Sequence, residues 1–387
     1  MARNAYLICV TDVNNNKFYQ MTEVGDRIHV EYGRVGSSKQ RTAYPIGKWE
    51  SLYRSKIKKG YIDRTELFSF EVPNTVQSVV SDNPAVQFLM RLRQYADVNI
   101  ASNYLVASNV VTQAQVGRAQ NLVDRLSILN TRDEFNDILL ELFSVIPRKM
   151  SKVNDFLAVG GQPLSEIVSR EQDTLDVMRG RVSLVPPHET NETVDPLSEA
   201  GVQISESKSI EVDMIRKLMA NDSNRFVGAY SVVHPEHSER FKKDTYGFGK
   251  QARLLWHGSR NQNWWHIVRL GLMIRPANAI KTGSMYGYGL YFADKAAKSI
   301  GYTSSNNSYW AHGRSETGFI GLYEVRLGET LRVSRRQSLH GSLTDERLKQ
   351  LGRYDSLSAL AGTSLYNNEY IVYRAEQCHI QYLVEIK

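Results

Sequence analysis

The chain has two cysteines in 387 residues, Cys9 and Cys378, each inside an apolar strand-like run. That number and spacing exclude a disulfide framework and a thiolate zinc site, and both read as reduced core residues of an intracellular protein. No apolar run approaches the roughly 20 residues that span a bilayer. The opening MARNAYLICVTDVNNNKFYQ has no long apolar segment with a small-residue cleavage site, so neither a membrane span nor a secretory signal is expected. Several chemical signatures are missing as well. There is no GxGxxG between a strand and a helix, and no GxxxxGK(S/T) phosphate loop. Without a GxSxG elbow, Ser259 is not expected to act as an acyl-transfer nucleophile. Without HExxH or clustered Cys and His, no bound metal is expected.

What is present is ordinary globular composition, 42% apolar and 23% charged, over a length that allows two or three domains. The net charge of +7 is unevenly spread: residues 1–70 hold twelve Lys or Arg against seven Asp or Glu. A local basic surplus is the footprint of a phosphate-binding surface, or simply of a soluble basic one, and charge alone does not choose.

Residues 1–70 read as a small antiparallel sheet with one helix across it. AYLICVTD, KFYQMTEV and RIHVEYGRVG are short strands split by turns at Asn14–Asn16 and Gly25–Asp26. In the helix that follows, Trp49, Leu52, Tyr53 and Ile57 share a face, and Gly60 caps the end. Trp49 reads as core. Residues 67–83 read as a linker. After Pro84 the pattern turns helical. Thr112–Gln115 and Thr131–Glu134 each match a capping box. The first opens a helix with Val116, Ala119, Val123, Leu126 and Leu129 inward. The second opens one with Phe135, Ile138, Leu139 and Leu142 inward, stopped at Pro147. A third helix is expected around Leu164–Met178. Residues 85–110 read as weakly apolar, which suits a bundle of modest stability. Residues 183–203, rich in Pro, Glu and Thr, read as a second linker. From Ile204 the chain is mixed, with a helix near Val212–Asn221 and then short strands with glycine-rich turns.

Three clusters in this last part carry the chemistry. The first is Trp256-His257-Gly258-Ser259 at the end of the apolar run LLW. The second is TGSMYGYGLYFADKAAKSIGY, which holds the strand GLYF, a helix start at Asp294, then Ser299 and Tyr302. In the third, SLYNNEYIVYR, the carboxylate of Glu369 opens a strand. Taken alone, a strand-end histidine or carboxylate is more often structural. Together they supply one imidazole, one carboxylate, tyrosines and small hydroxyls. Such a set suits a planar leaving group held by stacking and hydrogen bonds, with the carboxylate steadying positive charge that develops on a sugar. Tyr286 and Tyr288, beside glycines, read as packing residues.

LLWHGSR, TGSMYGYGLYFAD…KSIGY and YNNEYIVY closely resemble the catalytic domain of the poly(ADP-ribose) polymerase family. IRKLMANDSNRFVGAYSVVHPEHSERF is similar to the start of that domain. FSVIPRKM and its surroundings resemble the family's helical regulatory domain more loosely, and RIHVEYGRVGSSKQ…GKWESLYRSKIKKGY resembles its WGR domain. The resemblance implies an α+β multidomain chain. It would comprise a WGR-like nucleic-acid-binding domain over 1–70, an all-α helical regulatory bundle over 84–182, and a mixed two-sheet ADP-ribosyltransferase domain over 204–387. It implies NAD+ as a donor that is consumed, and no metal. His257 would bond a ribose of NAD+, and the backbone of Gly258 and the hydroxyl of Ser299 would hold the nicotinamide amide. Tyr302 would stack on the ring. Tyr291 and Glu369 would complete a His-Tyr-Glu triad, with Glu369 on the 2′-hydroxyl of the nicotinamide ribose. Ser259 and Asn263 would lie near the adenine-side ribose, and Lys298 would approach the donor's charged part. The loop Met273–Ser284 would wall the pocket. Tyr32, Arg34, Lys39, Arg41, Lys56, Lys58 and Lys59 would contact nucleic acid. The implied partners are DNA strand breaks and protein acceptors, the enzyme itself among them, with no membrane. The setting would be nuclear in a eukaryote, or cytoplasmic and nucleoid in a bacterium.

Two departures leave points open. Tyr32-Gly33-Arg34 stands where the family has Trp-Gly-Arg, which leaves stacking on a DNA end open, as is the choice between DNA and RNA. Asn367 stands two before Glu369, where the resemblance leads to a tyrosine in chain-elongating members, which leaves product length open. A DNA-dependent transferase therefore stands beside a second reading, a nucleic-acid-binding scaffold with weak or single-unit transfer.

Overall fold

The computed structural model describes residues 2–36, 38–68, 81–182, 195–244, 252–274, 285–306, 308–362 and 364–387. Most of both expected linkers, and all but the first two residues of the loop 273–284, lie outside the described residues. The chain divides into two compact units.

The first unit holds residues 2–68 and 97–182. Strands β1 (Asn4–Thr11), β2 (Asn15–Val24), β3 (Arg27–Arg34), β4 (Gln40–Pro45) and β5 (Ile62–Asp63) form a sheet in the order β4-β3-β2-β1-β5. All its neighbours are antiparallel. The turns fall where expected: Asn14 and Gly25 both adopt φ near +60°, which tight hairpins require. Alternation sends Leu7, Tyr19, Met21, Ile28 and Val30 to one face, where helix α1 (Trp49–Lys58) covers them and buries Trp49. Ile57, expected inward, is exposed instead, because it falls at the end of the helix beyond the sheet's cover. Gly60 takes φ +81° just past the helix, as a C-terminal cap needs. A one-turn helix, α2 (Thr65–Phe68), follows.

Helix α3 (Pro84–Asn103) belongs to the first unit from Asp97 onward. Helices α4 (Gln113–Leu126), α5 (Arg132–Val145) and α6 (Leu164–Arg181) complete the helical part. The capping box at Thr112 forms in full. The one expected at Thr131 does not: its hydroxyl donates to the Glu134 carboxylate (2.5 Å) and caps no backbone N–H. Helix α4 ends at Leu126, so Leu129 lies past it. Helix α5 stops before Pro147, whose ring pushes Ile146 into an extended conformation. The segment 147–153 is tied to the sheet. Asn16 Nδ2 donates to the Met150 carbonyl (3.0 Å), and Asn14 Oδ1 accepts from Val153 N (2.7 Å).

The second unit holds residues 81–96, the described part of 195–274, and 285–387. Its first sheet runs β6-β7-β14-β10-β8, built from β6 (Gln203–Glu206), β7 (Phe226–Val233), β8 (Arg253–Ser259), β10 (Gly318–Val325) and β14 (Cys378–Ile386). The second runs β11-β12-β13-β9, from β9 (Leu290–Phe292), β11 (Thr330–Val333), β12 (Ser356–Ala359) and β13 (Glu369–Val372). A bridge between Trp256 and Ala293 links β8 to the end of β9. Helices α7 (Pro196–Ala200), α8 (Ser209–Met219), α9 (Pro235–Lys243), α10 (Trp264–Leu270), α11 (Ala296–Ile300) and α12 (Asp345–Gly352) accompany the sheets. Helix α11 begins two residues after the expected start at Asp294. Ile215, Met219, Trp256, Ile300, Leu322 and Val384 are fully or nearly buried in the core on the first sheet. The stretch 85–110 is more apolar in place than its composition suggested. Phe88, Leu89 and Leu92 of α3 have no exposed surface, because they recur on one face of the helix. Phe88 stacks on Tyr230 at 3.8 Å, and Arg91 makes two 2.7 Å bonds to Glu385. Both cysteines are buried and free. Among the described residues no helix is long and apolar enough to cross a membrane.

Candidate active site

Strand β8 opens on the exposed Arg253 and turns apolar through Leu254 and Leu255 to Trp256, which is buried at 1% exposure; His257, Gly258 and Ser259 then emerge half-buried. His257 Nδ1 lies 3.0 Å from the Tyr291 carbonyl. A carbonyl only accepts, so Nδ1 carries the proton. In the neutral ring Nε2 is then an acceptor for a hydroxyl. Trp264, Phe292 and Tyr323 surround the imidazole at 5.9–6.3 Å between centroids and fix its plane.

Tyr291 enters from β9 and pairs with Ile371 on β13. Its hydroxyl donates to Gly287 O (2.9 Å) and accepts from Tyr286 N (3.0 Å). Burial, and then the nearby Glu369 charge, push this phenol well above its ordinary range, so it stays protonated. Glu369 opens β13 and is 7% exposed. Lys298 Nζ stands 2.5 Å from its Oε1, while Oε2 is buried with no hydrogen-bond partner among the described residues. Tyr302 is close enough to feel the same carboxylate. Burial first and Glu369 second push its phenol up to about 12.

Gly258 lies against Ser299: a Cβ there would come within 1.8 Å of the Ser299 carbonyl. Only glycine fits, so backbone rather than a side chain forms that wall. Ser259 Oγ accepts from Asn263 Nδ2 (3.0 Å), and Asn263 Oδ1 is buried with no partner among the described residues. The structure thus gathers His257, Gly258, Ser259, Asn263, Tyr291, Lys298, Ser299, Tyr302 and Glu369 in one region of the second unit. Two buried acceptors without donors among the described residues, beside a wall that admits no side chain, fit a planar amide and sugar hydroxyls. These are the polar groups of a nicotinamide riboside, so the residues present fit NAD+.

Residues 206–387 match the family model of the poly(ADP-ribose) polymerase catalytic domain. Uncharacterized protein 101L of Invertebrate iridescent virus 6 is 32% identical over 181 residues, 46% of this chain and 76% of that protein. Poly(ADP-ribose) polymerase 2 of Arabidopsis thaliana is 23% identical over 465 residues, 97% of this chain and 71% of that protein. Poly(ADP-ribose) polymerase 1 of Danio rerio is 25% identical over 408 residues, 96% of this chain and 37% of that protein. The chain belongs to the poly(ADP-ribose) polymerase family. Its enzyme class is that of an NAD+ ADP-ribosyltransferase.

Within this polymerase-family chain, Lys298, expected near the donor's charged part, stands in the site paired with Glu369. Tyr286 is more than packing, since its N–H holds the Tyr291 hydroxyl and its carbonyl accepts from Tyr373 (2.6 Å). The sequence pattern missed the part Asp294 plays. Its Oδ2 accepts from Asn368 Nδ2 and the Tyr370 hydroxyl, 74 and 76 residues away, a separation that no local signal reveals.

The nucleic-acid set in the first unit falls on two faces of the sheet. Tyr32 packs on the α1 side against Tyr19, and Lys56 Nζ sits 3.9 Å over the Tyr19 ring. Burial, then Lys59, lowers the Lys56 pKa. Lys39 (3.1 Å) and Arg41 (2.9 Å) both pair with Glu31 on the opposite face. Arg34 donates to the Ser151 carbonyl (3.3 Å), and Lys58 and Lys59 are exposed at the end of α1.

Proposed function

We propose that this chain is a DNA-break-responsive ADP-ribosyltransferase that modifies proteins, itself included, and extends poly(ADP-ribose). The observation that carries the reading is the convergence of His257, Tyr291 and Glu369, drawn from three distant segments, around Gly258, Ser299 and Tyr302.

In this reading Gly258 backbone groups and the Ser299 hydroxyl hold the nicotinamide amide, and Tyr302 stacks on the ring. His257 Nε2 accepts from a ribose hydroxyl, with Ser259 and Asn263 on the adenine side. Glu369 accepts from the 2′-hydroxyl of the nicotinamide ribose. When the bond from ribose C1″ to the ring nitrogen breaks, its electron pair leaves with nicotinamide, which departs neutral. Glu369 stabilises the positive charge left on the sugar. An acceptor oxygen then bonds to C1″ and loses its proton. No hydride moves. Tyr291, whose hydroxyl is spent on the 286–287 backbone, shapes the pocket rather than transferring a proton.

Residues 1–70 act as the WGR-like domain, with Tyr32, Arg34, Lys39, Arg41, Lys56, Lys58 and Lys59 as the nucleic-acid set. Residues 84–182 act as the regulatory bundle and 204–387 as the transferase. A DNA break shifts the bundle toward an open population that admits the donor. The work is done where intracellular DNA lies, in a nucleus or a bacterial nucleoid. Asn367 favours a second reading, a nucleic-acid-binding scaffold with weak or single-unit transfer.

The test is a gel of the purified chain with labelled NAD+, with and without nicked DNA. A ladder that appears only with nicked DNA supports the first reading, and a single shifted band supports the second. Equal labelling without DNA removes the break dependence. No labelling in either lane overturns transfer itself.

A further inference from the structure

We propose that Asp294 is the positioning residue for Glu369, holding the chain on both sides of that glutamate. The inference rests on the reading of Glu369 given above.

Three consecutive residues are fastened to one short stretch. Asp294 Oδ2 accepts from Asn368 Nδ2 at 2.8 Å and from the Tyr370 hydroxyl at 3.0 Å. Lys298, four residues on, takes Glu369 Oε1 at 2.5 Å. Along an extended chain, neighbours alternate, so Asn368 and Tyr370 lie on the face opposite Glu369. Asp294 therefore grips the strand from behind and acts on Glu369 through the backbone. Both grips are themselves anchored. Asn368 Oδ1 accepts from Ala361 N (2.8 Å), and Tyr370 is 6% exposed beneath the Arg253 guanidinium. On its own side, Asp294 follows Ala293, whose N–H and carbonyl pair with Trp256, the residue before His257 (2.9 and 2.7 Å). Phe292, two residues before Asp294, pairs with Tyr370 in the sheet. One carboxylate thus ties the Glu369 strand to the junction that sets His257 and Tyr291.

Asp294 Oδ1 is buried with no partner among the described residues. That is a costly arrangement for a carboxylate whose only task is to fill space. It leaves both donors on a single oxygen, so Asp294→Asn loses one way or the other. Either its amide nitrogen is buried unpaired, or it turns to face two donors.

The test uses the full chain with nicked DNA and measures kcat and KM for NAD+, with thermal midpoints. Asp294→Ala and Asp294→Asn are expected to lower kcat about 10- to 100-fold, the scale of a misplacement near 1 Å. KM is expected to change little, since the ring-holding groups are untouched. The exchange D294N/N368D returns a carboxylate and a carboxamide to the pair and is expected to restore most of kcat. Tyr370→Phe removes one bond only and is expected to give a smaller fall in kcat alone; it decides the matter if Asp294→Ala does not fold. Unchanged kcat in folded Asp294→Asn and Tyr370→Phe overturns the inference. So does a parallel rise in KM without rescue by the exchange, which is the mark of general damage. Glu369→Gln runs beside them. If it keeps full kcat, the reading of Glu369 has failed. If it is inactive while Asp294→Asn is normal, only the positioning role has failed.

Discussion

Lys298 and Glu369 form an ion pair with both side chains almost out of solvent, 12% and 9% exposed. Removing one partner of such a pair leaves the other charge buried, typically at a cost of about 3–5 kcal/mol. Lys298→Met is therefore expected to lower both the thermal midpoint and kcat. Lys298→Arg keeps the charge and is expected to retain most stability while losing some kcat, because a planar fork does not superpose on a point charge. Calorimetry and initial NAD+ turnover on the same preparations check this. A stable, fully active Lys298→Met would show that the pair does nothing for Glu369.

The alkaline limb of stability carries a second expectation. Burial, and then the Glu369 charge, push the Tyr302 phenol up to about 12, above the ordinary 10. A phenol whose folded pKa is raised keeps its proton longer in the native state. Its contribution is complete below about pH 10 and is lost as pH rises through about 12. Thermal midpoints should fall across that window, and Tyr302→Phe should flatten the fall. Identical slopes in the two proteins would mean the ring is solvated like a free phenol.

How far the sequence revealed this site depends on how local each signal was. Trp256 in the core with His257 and Gly258 emerging was legible, because an apolar run that stops at small polar residues marks where a buried strand surfaces. Glu369 was legible as the lone carboxylate that opens the apolar run YIVY. The turns and the helix of residues 1–70 followed from alternation and from Asn14, Gly25 and Gly60. What stayed hidden was pairing across distance. Nothing near Lys298 announces Glu369, nothing near Lys39 announces Glu31 as a competitor for phosphate, and Asp294 looked like the start of a helix. Thr131 shows the converse: a correct local motif, but a hydroxyl that prefers the carboxylate three residues on.

Glu31 sets the third prediction. It binds Lys39 and Arg41 at once, and the Lys39 bond foremost holds its pKa down. In the proposed nucleic-acid role these two cations must face phosphate. Glu31→Gln is then expected to tighten binding to a nicked duplex and steepen its salt dependence. Lys39→Ala and Arg41→Ala are each expected to make the slope of log K against log salt shallower by about 0.9, the share of one neutralised phosphate. Anisotropy titrations over a salt series read this directly. Slopes that do not move would place the interface elsewhere.

The last prediction concerns the start of helix α3 within the second unit. Phe88 stacks on Tyr230 and meets Phe319 edge-on, and Arg91 is held by two bonds to the nearly buried Glu385. If the bundle restrains the donor site, this seat is where the restraint is exerted, and loosening it should release the enzyme without DNA. Phe88→Ala removes a fully buried ring, a change that typically costs about 3–5 kcal/mol. Arg91→Ala strands the Glu385 carboxylate. Both are expected to raise NAD+ turnover without DNA and to speed amide exchange over residues 84–96, while turnover with nicked DNA stays near that of the parent. Faster exchange with unchanged DNA-free turnover would separate the helix from control of the site, and would make this seat a matter of folding alone.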